Sequence, residues 1–193
     1  MISGLVHAGT LRPTPGSVRR TPDRCGSFSL VELVVVIVII SIIAAIAVPR
    51  LTTAASGAQE AALAASLRTM RDAIDRYAAE HIGTFPGVAG DGTGNGPNTA
   101  GAFVSQLTKY SNVAGGVSSS RGTAYAFGPY LRRVPPLPVS SMGGADAVAI
   151  DAVNSPPLVT AGDFGWVYNP TTGEIIANSD EPNAAGLRTF DEY

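Results

Sequence analysis

The 193-residue chain has one cysteine, two histidines and one tryptophan, and charged side chains make up only 15% of it. Cys25 stands alone, so the chain can close no internal disulfide and build no zinc site from several thiolates. His7 and His81 lie far apart, and no serine or acid is spaced around either in a way that points to a catalytic triad. Positive charge is sparse too. Beyond residue 27 the only adjacent basic pair is Arg132-Arg133, whereas nonspecific nucleic-acid binding rests on clustered Lys and Arg facing phosphates. These absences point away from an enzyme and away from nucleic acid as a partner.

What the chain has in quantity is an apolar run. Phe28-Ser29-Leu30-Val31-Glu32-Leu33 leads into an almost unbroken hydrophobic stretch from Val34 to Val48, closed by Pro49. From Phe28 to Val48 is about 21 residues, which as a helix spans roughly 31 Å, the thickness of a bilayer hydrocarbon core. One acid interrupts it. A carboxylate near a membrane centre costs about 2.5–3.5 kcal/mol, and somewhat less near the edge, so Glu32 calls for a partner. Its alternative is to snorkel at the membrane boundary without one.

These residues resemble the N-terminus of type IV pilin-like proteins, and within that group the major pseudopilin of type II secretion systems. The family pattern is a short basic leader ending in Gly, then Phe-Thr-Leu-Ile-Glu-Leu, an apolar helix and a distal Pro. Here Phe28-Ser29-Leu30-Val31-Glu32-Leu33 and Pro49 fall at the family spacing. The resemblance is strong from Phe28 to about Tyr77 and looser beyond. It implies cleavage within Gly26, Ser27 and Phe28 by a prepilin peptidase, N-methylation of Phe28, polymerisation through Glu32 into a helical fibre, and a helix kink at Pro49.

Two departures carry consequences. Ser27, not Gly, precedes Phe28, and Gly26 sits one place earlier, so the cut falls after Ser27 or after Gly26; the first keeps Phe28, Glu32 and Pro49 in register. Ser41 stands where relatives often carry a helix-loosening Gly, so the segment is expected to melt less readily during assembly. If cleavage frees an amine at Phe28, the Glu32 of a neighbouring subunit shifted along the fibre can neutralise it in an apolar core, where either charge alone is costly.

The rival reading is a secretory signal peptide, with Arg12, Arg19, Arg20 and Arg24 as its basic region and Ala45-Ile46-Ala47 as a small-residue cleavage site. Glu32 at the junction, and an apolar run longer than a signal core, weigh against it. In both readings the positive charge stays cytoplasmic and the C-terminal mass is exported. Of thirteen Lys and Arg, four lie in residues 1–27 together with one of the fifteen acids, so the remainder has nine basic against fourteen acidic side chains, a net of −5. Cys25 leaves with the leader.

Beyond Pro49, Leu63, Leu67, Met70, Ile74 and Tyr77 recur at four- and three-residue spacing, the stripe of an amphipathic helix. Arg68, Arg71, Asp72, Asp75, Arg76 and Glu80 occupy its other faces, with opposite charges four apart. Gly83 and Pro86 end the helix. Residues 87–101 read as a flexible Gly-rich surface loop, and 102–110 as a short helix. Its Asp91-Gly92-Thr93-Gly94-Asn95-Gly96 run only faintly echoes a calcium loop, since no Glu closes it. Short antiparallel strands are expected around 125–127, 147–153, 165–168 and 174–177. The clearest hairpin runs through Asn169-Pro170-Thr171-Thr172-Gly173, with Trp166 and Tyr168 facing the core. Tyr130-Leu131-Arg132-Arg133-Val134-Pro135-Pro136 resembles a stretch that precedes the sheet in major pseudopilins, although their Asp-Pro-Trp-Gly is absent.

Major pseudopilins hold their C-terminal loop with calcium. The resemblance therefore implies a possible calcium site here involving Asp180 and Asp191; the alternative is that these acids are simply solvated. No other cofactor is expected. The expected organisation is a basic leader over 1–27, a transmembrane and polymerisation helix over 28–53, and a periplasmic globular domain over 54–193. The fold class is α+β, a long N-terminal helix packed on a small antiparallel sheet. The expected function is that of a pseudopilus subunit in type II secretion, anchored once in the bacterial inner membrane. Its partners would be copies of itself, prepilin peptidase, the inner-membrane assembly platform, minor pseudopilins and, before assembly, the membrane. The alternatives are a subunit of a surface type IV pilus for adhesion, motility or DNA uptake, and an exported soluble binding domain.

Overall fold

A computed structural model describes residues 29–139, 141, 143–183 and 185–193, with the backbone alone between 48 and 54. Gly26, Ser27 and Phe28 lie outside the described residues. The first element, α1, is a helix over Leu30–Glu80. It is assigned continuously through Pro49, which therefore lies inside the helix and does not end it. The chain divides between Ala44 and Ala45 into two units.

In the second unit the 3.6-residue stripe of α1 is the core seam: Leu63, Leu67, Met70, Ile74 and Tyr77 are each at most 1% exposed. Burying side chains of this size is worth roughly 1.5–3 kcal/mol apiece. Phe103 and Leu107 of α2 (Ala100–Thr108), Leu131, Val134 and Leu137 of the following coil, and Trp166, Tyr168 and Ile175 of the sheet pack into the same core. Thr99 caps α2, its hydroxyl accepting from Ala102 N at 3.2 Å.

Two small sheets follow. In the first, β1 (Tyr110–Ser111) pairs antiparallel with β2 (Val117–Ser118). In the second, the order is β3 (Val148–Ile150), β4 (Trp166–Tyr168), β5 (Ile175–Ala177). The expected hairpin is present: β4 and β5 are antiparallel, and Gly173 takes φ 77° at the turn, where a side chain would be strained. β3 differs from expectation in pairing parallel to β4. The fifteen-residue connection 151–165 is long enough to return the chain to the same end, which a tight hairpin cannot do. Residues 125–127 form no strand either; they contribute two isolated bridges, Tyr125 with Gly122 and Phe127 with Ser111. The first closes a reciprocal turn, and Pro129, which has no N–H to extend a ladder, follows the second.

The end of α1 is closed by Gly83 N donating to Ala78 O at 2.8 Å, an arrangement that puts the preceding residue in the left-handed region. That residue is Ile82, at φ 56° and 85% exposed. A β-branched side chain there costs on the order of 1–2 kcal/mol relative to Gly.

Candidate functional site

Glu32 lies in the first turn of α1, whose ladder opens with Leu33 N donating to Ser29 O at 3.2 Å. It is the only charged residue of the Leu30–Ala47 stretch, an apolar helix long enough to cross a membrane. None of that stretch is buried within the chain itself, and Leu30, Val31, Leu33 and the Val and Ile residues to Ile46 are all exposed. Among the described residues the Glu32 side chain has no hydrogen-bond or ion-pair partner. Within the described residues the helix thus presents an unpaired carboxylate on an apolar surface of the kind that lipid or other apolar helices cover. Ser41 is accommodated within the helix: its hydroxyl donates to Ile37 O at 2.6 Å, so the one other polar group of the stretch needs no outside partner.

The remaining sequence candidates resolve as follows. Of the expected four-apart charge pairs, Arg76–Glu80 at 3.8 Å is the one that forms among the described residues. Glu80 also accepts from the Tyr130 hydroxyl at 2.5 Å. Burial, reinforced by the Glu80 charge, pushes the Tyr130 phenol up. Arg71 donates instead to Tyr193 O at 3.0 Å and Ile175 O at 3.2 Å.

His81 is not a surface residue. It is 1% exposed, its ring stacks on Tyr77 at 3.7 Å, and its Nδ1 sits 2.8 Å from Tyr77 O. A carbonyl can only accept, so Nδ1 carries the proton and, in the neutral ring, Nε2 accepts from the Ser111 hydroxyl at 3.1 Å. Desolvation lowers the His81 pKa and keeps the ring neutral. Thirty residues separate this serine and histidine, and no sequence spacing pointed to the pair. Both are buried, and the group beyond the imidazole is a backbone carbonyl. Their hydrogen bond joins the end of α1 to β1.

Asp91 likewise faces inward, at 0% exposure. Its Oδ1 accepts from Thr93 N at 2.8 Å and Asn95 N at 3.2 Å, and its Oδ2 from Asn95 Nδ2 at 2.6 Å. Burial alone would raise this carboxyl, but the hydrogen bonds outweigh it and hold it well below the usual carboxylate range. The oxygens a cation loop would turn to its ion thus fold the loop itself. Within residues 87–101, Asp91 and Gly87 are held by hydrogen bonds, while Gly92, Thr93 and Gly94 are exposed.

Asp180 is exposed. Asp191 is half-buried, and its Oδ1 is a buried oxygen without a hydrogen-bond partner. No group of three or more His, Cys, Asp or Glu able to hold a metal occurs among the described residues. Calcium takes six to eight oxygens, and a single orphaned one does not supply that shell. Among the described residues the acids named by the resemblance do not assemble a site for the ion.

A family model, the prokaryotic N-terminal methylation motif, matches residues 23–48. Comparison with curated proteins and with solved structures returned no match. The chain therefore carries a type IV pilin-like N-terminal signal ahead of an α+β domain. The motif covers Glu32 and the apolar helix, the same residues that the structure leaves uncovered.

Proposed function

We propose that the protein is a structural, non-enzymatic subunit of a type II secretion pseudopilus. The observation that carries a fibre function is the unpartnered Glu32 in an uncovered apolar helix inside the matched methylation motif. In this reading prepilin peptidase cuts before Phe28 and the new N-terminus is methylated. The helix waits in the inner membrane with residues 54–193 in the periplasm, and the assembly platform lifts it into a fibre with minor pseudopilins. Glu32 of one copy then neutralises the Phe28 amine of another. The secretion assignment is supported by the stretch from Tyr130 to Pro136, similar to one in major pseudopilins. Here it is docked on the core by Trp166 Nε1, which donates to Pro135 O at 2.8 Å.

Deletion of the gene tests the assignment. Folded exoproteins are expected to accumulate in the periplasm while surface fibres and twitching motility persist, and expression of the intact gene restores export. Normal export with loss of surface fibres would instead establish the surface-pilus function.

A further inference from the structure

We infer that residues 179–193 are closed onto α1 by a metal-independent latch built from Arg71, Tyr193, Glu60 and Asn183. A loop in this position needs a closure. The chain offers it no disulfide, and the acids implied as calcium ligands do not assemble a site. The closure is made of hydrogen bonds. The planar guanidinium of Arg71 donates from Nη2 to Ile175 O of β5 and from Nη1 to Tyr193 O, so one fork ties both the sheet edge and the segment to the helix. The Tyr193 phenol donates to Glu60 Oε2 at 3.0 Å and accepts from Asn183 Nδ2 at 3.1 Å. Glu60 and Arg71 are about three turns apart on one side of α1, and Tyr193 engages both.

The segment is also organised within itself. Phe190 N donates to Glu181 O at 3.0 Å, Asp191 N to Ser179 O at 3.0 Å and Asn183 N to Arg188 O at 2.8 Å. Phe190 enters the core. Three neighbouring carboxylates take part in the closure: Glu181 Oε1 accepts from Ser141 N, Glu192 Oε2 from Thr189 N, and Glu60 Oε2 from the phenol. The latch does not depend on whether the fibre is a pilus or a pseudopilus.

Amide hydrogen exchange of the full chain in detergent micelles, read by mass spectrometry on peptides covering 180–193, tests the latch. EDTA is expected to leave the wild-type protection unchanged. Arg71→Ala is expected to speed exchange of these amides about tenfold, with peptides of α2 and β4 unaffected, as for a local opening. Tyr193→Phe, which deletes only the phenol bonds, should give a smaller change confined to the same peptide, and it decides the matter if Arg71→Ala loosens the whole domain. Loss of protection in EDTA that calcium restores would overturn the inference. So would wild-type protection of 180–193 in both variants.

Discussion

Glu32→Ala protein is expected to be processed and inserted normally yet to yield no fibre. Alanine removes the one charge from Leu30–Ala47, so membrane insertion becomes easier. What is lost is the carboxylate that draws an incoming subunit into register. Its absence leaves the Phe28 amine uncompensated in an apolar core, a fault on the order of several kcal/mol at every subunit contact. Ser41 cannot substitute, because a hydroxyl that donates to Ile37 O carries no negative charge to balance an amine. If Glu32 instead snorkels at the membrane edge, the same change is neutral. Electron microscopy of overproduced fibres, with assay of exported activity in the medium, separates the two. Normal fibres from fully processed Glu32→Ala protein would remove Glu32 from the assembly mechanism.

The second large effect is expected in the folded domain. Gln106 is fully buried on α2 and its amide joins three segments: Oε1 accepts from Gly87 N at 2.7 Å, and Nε2 donates to Ala89 O at 3.1 Å and Gly115 O at 2.8 Å. Gln106→Ala strands three backbone groups and opens a void. At about 1–3 kcal/mol for each unsatisfied buried group, a loss of about 3–5 kcal/mol is expected, or a melting temperature lower by roughly 10 °C. Gln106→Glu keeps an acceptor for Gly87 N but turns a carboxylate toward two carbonyls, and should be at least as damaging. Thermal unfolding followed by circular dichroism measures both. A shift of only a degree or two for Gln106→Ala would mean that the loop and the β1–β2 hairpin are held by other contacts.

Gln106 also shows what a linear sequence conceals. The stripe from Leu63 to Tyr77 was legible because an apolar residue every three or four positions has one meaning on a helix. The β4–β5 hairpin was legible because Asn169 to Gly173 supply a turn with a residue suited to positive φ. The direction of β3 was not, since strand polarity depends on the path of 151–165 and not on the residues of the strand. Polar side chains in glycine-rich surroundings look solvated, so Asp91 read as part of a surface loop although it is completely buried, and nothing in the sequence singled out the buried Gln106. Arg71 looked like a partner for Asp75 one turn away. Its actual acceptors, 104 and 122 residues distant, exist only once the sheet and the 179–193 segment have folded against α1.

The candidate site was legible at Glu32 for a physical reason. An acid in an apolar run is costly unless it is paired or reaches the membrane edge, so its position in the chain singles it out for a test of function. Among the described residues no group compensates it, and the proposed fibre contact would supply one from a neighbouring copy.

The most direct test is the N-terminal sequence and intact mass of the protein extracted from membranes. Cleavage between Ser27 and Phe28 with one added methyl group is the predicted result, because that cut alone aligns Phe28, Glu32 and Pro49. A chain beginning at Val48 would contradict the account outright, since it would mean that the apolar helix and Glu32 had been discarded as a signal peptide and that no fibre could be built from them.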